Sequence, residues 1–506
     1  MEKIAVILVE TYSAKLFIAS ASQDNYFMLE TIEQEPIKLG LEMDDDHFLK
    51  KPQIDATIRV LKNFRKICEL NNVSKTIAVA NLFRETKPKN IYSFFDEVFA
   101  TCGFRFEMLS MEEQNNNIYQ GTINSFDIPK GVCLHLTADS VHLIEYNRRN
   151  VTNQIVLNFG PRTLLNMYPF EDLGKDNALG KIKKYISTQL GDVEWLDKTE
   201  EEFNMVFSGD YAMDLAKMVR KYKKYPLDRD EGYVCDKDDL SFIVNQVSAL
   251  ELDKTKKIKL INEPRADVFA VSLAIMEAVL EKAQKPNATI CRNALVRGIL
   301  YSEVVPSVLE KPISDVLGFS VIAETSFHDK ENEKHNEQVY NLSILLFKQL
   351  RVLHKLPRNY VKILRVASFM HDVGKRINFL KHAKYAYDVI LGADIFGMSH
   401  RELVLAAFTA SLHQGDDINM AEWVKYKDLF EEDDINAVTK LGSILRMAEA
   451  FDKTRTSAIV DISCDILGDS VIMKTIAVSD NTYEIQKALE GGKDFEKFFK
   501  KKLEIL

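Results

Sequence analysis

Glycine is scarce in this chain, and its scarcity excludes several classes of nucleotide-binding site. The 506 residues include 20 glycines, about 4% against a typical value of roughly 7%. No two glycines stand two positions apart anywhere in the sequence. Loops whose backbone amides wrap a phosphate need glycine for close approach and positive φ, so Walker, Rossmann and protein-kinase loops are excluded.

Paired cysteines and long apolar runs are also lacking. The six cysteines lie far apart and none forms a Cys-x-x-Cys pair, which favours free thiols in a reducing cytoplasm. No stretch of about 18 apolar residues occurs, so no membrane span is expected. The net charge of −9 argues against broad nucleic-acid binding, which needs a basic surface.

The front half of the chain shows strand pairs followed by helices, and this order occurs twice. Apolar runs within 3–19 and 132–145 predict two strand pairs, each followed by segments of helical periodicity. Two related α/β lobes with a cleft between them would produce this repetition. We therefore predict one lobe at 1–125 and a second at 126–310.

The character of the chain changes after residue 310. Nearly all of 331–455 has helical spacing, and seven of the ten histidines lie in the predicted all-α domain at 311–456. Two short apolar runs and polar helical segments then predict a small α+β tail at 457–506.

Several histidines and aspartates lie along the apolar stripes of these predicted helices: His335, His371, Asp372, Asp452 and His413. His382 lies nearby in the sequence and could join them as a further ligand. Burying them without partners is costly, and one or two shared divalent cations would satisfy them together. Imidazole and carboxylate ligands without thiolate favour Mn²⁺, Fe²⁺, Mg²⁺ or Zn²⁺. The alternative is a helical bundle whose core histidines bond to backbone carbonyls or water.

Such a centre has a defined chemistry. A bound cation lowers the pKa of a water molecule and polarises a phosphoryl group. Asp372 is best placed to bridge two ions or to orient the water, and Lys375 would steady a substrate phosphate. His328 and His354 have no comparable pattern, so we expect both at the surface.

The order of these motifs behind two α/β lobes resembles the Ppx/GppA (exopolyphosphatase/guanosine pentaphosphate phosphohydrolase) family with its C-terminal HD domain. The matching segments are His335–Leu350, His371–Lys375, His382, His413 and Leu445–Lys453. The resemblance implies an actin-like (ASKHA, ribonuclease H-like) α/β front half with an active site in its cleft, and an all-α HD domain. It also implies a phosphate-containing small molecule or polyphosphate as substrate, and a homodimer.

The front-half motifs keep their positions but differ from the family in chemistry. Leu8–Ser13 stands where the family has Asp-Ile-Gly-Ser-Asn-Ser, and His135–Ser140 stands where it has Asp-Ile-Gly-Gly-Gly-Ser. The general-base glutamate of the family falls on Gln114, whose amide cannot accept the proton of an attacking water. A shift of one residue would place Glu113 there instead.

By the same resemblance, Arg84, Ser13 and Ser140 would contact phosphate in the cleft.

Three hypotheses about the function follow from the sequence. The HD domain is a metal-dependent phosphohydrolase and the degenerate front cleft regulates it; or the cleft itself removes phosphate from polyphosphate or pppGpp with Glu113 and Arg84; or the chain is a non-catalytic sensor or scaffold.

Overall fold

The chain folds as two units, Met1–Ser314 and Asp315–Leu506. The computed structural model describes residues 1–39, 43, 46–82, 87–197, 203–261, 263–415 and 417–506. No helix in these ranges combines the length and the apolarity needed to cross a membrane. The finer four-part division stays a prediction.

The first lobe of the front unit is built on a mixed sheet of strand order β3-β2-β1-β4-β5. Strand β1 is buried along most of its length because it lies at the centre, between antiparallel β2 and parallel β4. Strand β3 is an exposed, glutamate-rich edge strand, so its sequence lacks the apolar run by which the other strands were predicted. The elements are β1 Glu2–Glu10, β2 Ser13–Ala21, β3 Phe27–Pro36, α1 Lys51–Leu70, β4 Lys75–Asn81, α2 Ile91–Cys102, β5 Phe106–Met108 and α3 Met111–Ile123.

The second lobe repeats this topology. Its sheet has the order β10-β11-β9-β6-β7-β8, in which an antiparallel β6-β7-β8 meander continues into the parallel strands β9 and β11. Its elements are β6 Lys130–Leu136, β7 Val141–Asn147, β8 Asn150–Leu157, α4 Pro161–Met167, α5 Phe170–Leu173, α6 Lys175–Gly191, β9 Asn204–Ser208, α7 Asp210–Lys223, β10 Val234–Asp236, α8 Lys237–Ser248, α9 Leu252–Lys256, α10 Phe269–Lys282, β11 Asn287–Cys291 and α11 Ala294–Val304.

The second unit is helical until residue 450 and ends in a small α+β tail. Its helices are α12 Val316–His328, α13 Glu333–Gln349, α14 Arg351–His354, α15 Val361–Met370, α16 His382–Gly392, α17 His400–Ser411, α18 Met420–Lys425 and α19 Asp434–Ala450. The tail consists of β12 Ile459–Ile466, β13 Ser470–Ala477, α20 Thr482–Phe499 and β14 Lys502–Ile505. Helix α20 packs against α19, so the tail adjoins the helical domain.

The surface position expected for His354 is wrong. Its ring is buried and stacks on Phe347, with the ring centroids 4.2 Å apart. Its Nε2 donates to the Phe347 carbonyl at 2.7 Å, while its Nδ1 accepts from the Leu356 amide. Both ring nitrogens therefore have hydrogen-bond partners on the nearby backbone, so the ring can be buried. The prediction considered only apolar stripes and did not include such backbone partners.

Two glycines let helices α3 and α11 pack backbone to backbone. A Cβ added at Gly298 would lie 1.8 Å from the Asn117 carbonyl oxygen, and one at Gly121 would lie 1.8 Å from that of Ala294. Real Cβ atoms do not approach a backbone this closely. The crossing of the two helices therefore requires glycine on both sides.

We predict that Gly298→Ala lowers the free energy of unfolding by about 3 kcal/mol, because the two helix backbones must separate. The matched control is Gly180→Ala on α6, where an added Cβ has no neighbour within 4 Å; it should stabilise by up to about 1 kcal/mol through helix propensity. Urea unfolding of both variants checks this, and equal effects would contradict the close crossing.

Candidate functional site

Five side chains from four segments of the second unit, in or next to α13, α15, α16 and α17, meet in one buried cluster. His335, His371 and Asp372 form one group and Asp372, His382 and His413 a second, with the potential ligand atoms of each group all within 4.8 Å of one another. Asp372 belongs to both. The structure thus brings together five of the six predicted metal ligands.

Three of these imidazoles have their tautomer fixed by a carbonyl three residues earlier. The Nδ1 atoms of His371, His382 and His413 each lie 2.7 Å from a backbone oxygen, those of Ser368, Phe379 and Ala410. Because a carbonyl only accepts, each Nδ1 carries a proton, and in the neutral ring this tautomer leaves Nε2 bare.

His371 and His413 follow the last turns of α15 and α17, so the carbonyls at the ends of these helices supply their acceptors.

The bare nitrogens face one another and a carboxylate oxygen. His382 Nε2 lies 2.9 Å from His413 Nε2 and 3.3 Å from Asp372 Oδ1. Asp372 Oδ1 and His371 Nε2 are buried and have no hydrogen-bond partner among the described residues. Lone pairs held this close repel unless a cation lies between them, and ligand atoms around one ion are spaced by roughly 3–4 Å. The residues present therefore fit a divalent metal.

The protonation states of the clustered side chains also suit metal binding. Burial lowers the pKa of His413 to about 3 and also lowers the pKa of His371, so both rings are neutral ligands at pH 7. Burial alone would raise the pKa of Asp372, but its charged neighbours, Lys375 among them, hold it well below its usual range. The site thus combines neutral imidazoles with an ionised carboxylate.

Two basic residues hold the other oxygen of Asp372. Lys375 donates a hydrogen bond to Asp372 Oδ2, and Arg455 Nη2 lies 3.1 Å from the same atom. Lys375 was predicted to act here, whereas Arg455 was missed. Its only signal in the sequence is its position three residues after Asp452.

Asp452 stands behind the cluster. Its Oδ2 accepts from His335 Nδ1 at 2.8 Å and its Oδ1 accepts from the Ser457 amide, while His335 Nε2 faces Asp372 Oδ2 at 3.9 Å. In this arrangement Asp452 orients His335, as a carboxylate behind a metal-ligating histidine does.

We therefore predict that Asp452→Asn weakens metal binding about 10–100-fold without abolishing it. Metal titration by calorimetry measures this. Asp465→Asn, which changes an aspartate paired with Lys474 in the tail, should leave the affinity unchanged. Complete loss of binding in Asp452→Asn would instead make Asp452 a direct ligand.

In the front unit, the predicted phosphate cleft contains a network of ion pairs that joins the two lobes through Lys15 and Asp210. Lys15 Nζ lies 2.6 Å from both Glu10 and Asp210, and Arg265 contacts Asp210 at 2.6 Å and Asp214 at 2.7 Å. The cavity beside them measures about 50 Å³, which suits a few water molecules.

The residues expected to bind phosphate lie around this network. Ser13 lines the cavity and its buried Oγ has no partner among the described residues, whereas Ser140 Oγ hydrogen-bonds Thr137 and His142. The residue Asp139 hydrogen-bonds Thr137. Arg84 lies outside the described residues.

The two candidates for the general base of the cleft, Glu113 and Gln114, both form side-chain hydrogen bonds with the backbone just before helix α3. The Glu113 carboxylate accepts from the Ser110 amide at 2.8 Å in a capping box, and these hydrogen bonds lower the pKa of Glu113. Gln114 is buried and donates to the Leu109 carbonyl. The cleft therefore presents no carboxylate from this segment to an attacking water.

We predict that Asp210→Asn destabilises the protein by about 3 kcal/mol at pH 7, because Lys15 and Arg265 lose their shared partner. Lys15 and Arg265 outweigh burial and lower the pKa of Asp210, so its stabilisation is present above the unfolded-state pKa of about 4 and is lost below it.

The difference between wild type and variant should therefore shrink as the pH falls below about 4 in denaturant titrations. Asp228→Asn, at an exposed ion pair, should change stability by less than about 1 kcal/mol. A pH-independent difference for Asp210→Asn would contradict the ionic origin.

Comparison with known proteins was made against families, curated proteins and solved structures. The Ppx/GppA phosphatase family matches residues 19–306, and domain III of the Ppx/GppA phosphatases matches 324–490. The bifunctional 3-dehydroquinate synthase/phosphatase of Fusobacterium nucleatum is 21% identical over 318 residues, 59% of this chain and 46% of that protein. The guanosine-5'-triphosphate,3'-diphosphate pyrophosphatase of Aeromonas salmonicida is 24% identical over 315 residues, 61% of this chain and 60% of that protein. The chain thus spans about half to three fifths of these two relatives.

Among solved structures, the Ppx/GppA family member of Aquifex aeolicus matches with a TM-score of 0.51 at 21% identity, and an exopolyphosphatase of Cytophaga hutchinsonii with 0.56 at 18%. Each alignment covers 60% of this chain and 98% of the other. These likenesses confirm the predicted two-lobed, actin-like α/β fold of the front half.

Proposed function

The chain belongs to the Ppx/GppA phosphatase family, and on that premise we propose that its helical half is an HD-type, metal-dependent phosphohydrolase. The substrate is a phosphate ester or phosphoanhydride. The front half, with its degenerate cleft, binds a ligand or partner and regulates this activity.

One observation carries the proposal: the bare Nε2 atoms of His371, His382 and His413 converge on an unpartnered oxygen of Asp372. His335, His371 and Asp372 would hold one ion, and Asp372, His382 and His413 a second. A divalent cation here, Mn²⁺, Fe²⁺, Mg²⁺ or Zn²⁺, supplies Lewis acidity toward a water molecule and a phosphoryl oxygen.

The chain's own residues perform the remaining tasks. Asp372 orients the attacking water, and its pairing with Lys375 and Arg455 keeps it ionised. The side chains of Lys375 and Arg455 lie beside Asp372, where the phosphoryl oxygens of a substrate would arrive. Both side chains stabilise negative charge as the phosphoryl group is transferred. Lys375 also lines a pocket of about 470 Å³ that opens onto His382 and His413.

The proposed loss of catalysis in the front cleft rests on its ion pairs. Among the described residues of the cleft, Lys15 and Arg265 are buried cations, and Asp210 forms an ion pair with each of them. An incoming phosphate would have to displace this carboxylate from two contacts. Exopolyphosphatase or pppGpp hydrolysis in the cleft, by contrast, requires Glu113 to leave its helix cap and act as the base.

We predict that Asp372→Ala abolishes both metal content and phosphate release, with kcat/KM falling about a thousandfold or more because metal-assisted catalysis is lost. Metal analysis of the purified protein and a phosphate-release assay on polyphosphate, pppGpp, nucleotides and cyclic dinucleotides measure this. Glu113→Gln is the matched variant for the cleft and should retain wild-type turnover.

The reverse pattern, with activity lost in Glu113→Gln and kept in Asp372→Ala, would place catalysis in the front cleft. Metal-free protein without turnover of any substrate would indicate a sensor or scaffold.

A further inference from the structure

A pocket lies next to the histidine–aspartate cluster, and one of its walls is formed by residues outside that cluster. Of its lining residues, Lys375, His382 and His413 belong to the proposed active site, while Lys487, Glu490 and Gly491 belong to α20 of the C-terminal tail. At about 470 Å³, it has the size of an ordinary small-molecule site, roughly 300–1,000 Å³.

Resting on the proposed function, we propose that this pocket selects a small organic phosphate, with α20 forming one wall and an apolar lip receiving the organic body. Inorganic polyphosphate is disfavoured. The wall and the lip determine specificity, whereas the cluster beneath them performs the chemistry.

The charges of the pocket are paired. Lys453 lies 2.7 Å from Glu449, Lys487 lies 2.7 Å from Glu490, and Arg446 contacts Asp494. A polyphosphate chain carries negative charge along its whole length, so it would meet the carboxylates as well as the cations. A ligand with one or two phosphoryl groups at Lys375 avoids that repulsion.

The lip is unusually apolar for the surroundings of an ionic site. Phe379 and Leu380 line the pocket and are 70% and 82% exposed, and the neighbouring Ile377 is 58% exposed. The Phe379 carbonyl accepts from His382 Nδ1 at 2.7 Å, which ties the lip to the metal cluster. The exposed aromatic ring of Phe379, whose backbone carbonyl holds a proposed metal-ligating histidine, can pack against a flat or apolar group joined to the phosphate.

Helix α20 also limits the size of the pocket. A Cβ at Gly491 would lie 3.4 Å from Arg446 Nε, so α20 packs closely against Arg446 at this wall. Lys487, four residues earlier on the same helix, is the tail's cation at the pocket. The tail therefore reaches the pocket through Lys487.

The test compares full-length, metal-loaded protein on p-nitrophenyl phosphate and bis(p-nitrophenyl) phosphate with its activity on tripolyphosphate and long-chain polyphosphate. We expect at least one aryl ester to have the higher kcat/KM. Phe379→Ser should raise KM for that ester about tenfold, with kcat and metal content unchanged. Lys487→Met should also raise KM with little effect on kcat.

Two control variants separate specificity from general effects. Leu467→Ser removes another exposed apolar side chain of this unit, and Lys493→Met changes an exposed lysine on α20 that does not line the pocket. Both should keep the wild-type KM.

A preference for polyphosphate, or a KM unaffected by Phe379→Ser and Lys487→Met, would overturn the pocket's assignment while Asp372-dependent turnover left the proposed function standing. Absence of Asp372-dependent turnover on every substrate would overturn both.

Discussion

The proposed metal site depends on the hydrogen bonds from three histidine Nδ1 atoms to backbone carbonyls. They place the protons of His371, His382 and His413 on the outside of the cluster. The inward-facing nitrogens are then lone pairs, and Asp372 adds a charged oxygen. Such a cluster is electrostatically unfavourable alone and favourable around a cation, because the cation offsets both the desolvation and the repulsion.

The front half also buries charged side chains, but it pairs them with charges of the protein itself and not with a bound cation. Its buried cations Lys15 and Arg265 meet carboxylates of the protein itself, and the resulting network joins the two lobes. At the predicted phosphate loop His135–Ser140, this chain has a turn closed by a hydrogen bond between the Thr137 and Ser140 side chains. The buried charges of the front cleft are thus paired with one another, whereas Asp372 Oδ1 in the helical half has no hydrogen-bond partner among the described residues. The proposal of metal chemistry in the helical half follows from that difference.

Much of this was predictable from the sequence, for identifiable reasons. The candidate ligands His335, His371 and His413 continue the apolar stripes of predicted helices, so periodicity pointed to them, and the doubled strand pattern predicts two lobes. Strand β3 was missed because an exposed edge strand has no apolar run, and the environment of His354 was mistaken because its partners are backbone atoms. The ion-pair network of Asp210 depends on contacts between residues about 200 positions apart, which no local pattern records.

The most direct test of the central claim is anomalous X-ray scattering from crystals of the metal-loaded protein. The account predicts an anomalous peak bounded by Asp372 Oδ1 and the Nε2 atoms of His382 and His413, with or without a second near His335 and His371. Side chains arranged as described around water alone, with no peak after incubation with Mn²⁺, Fe²⁺ or Zn²⁺, would contradict it.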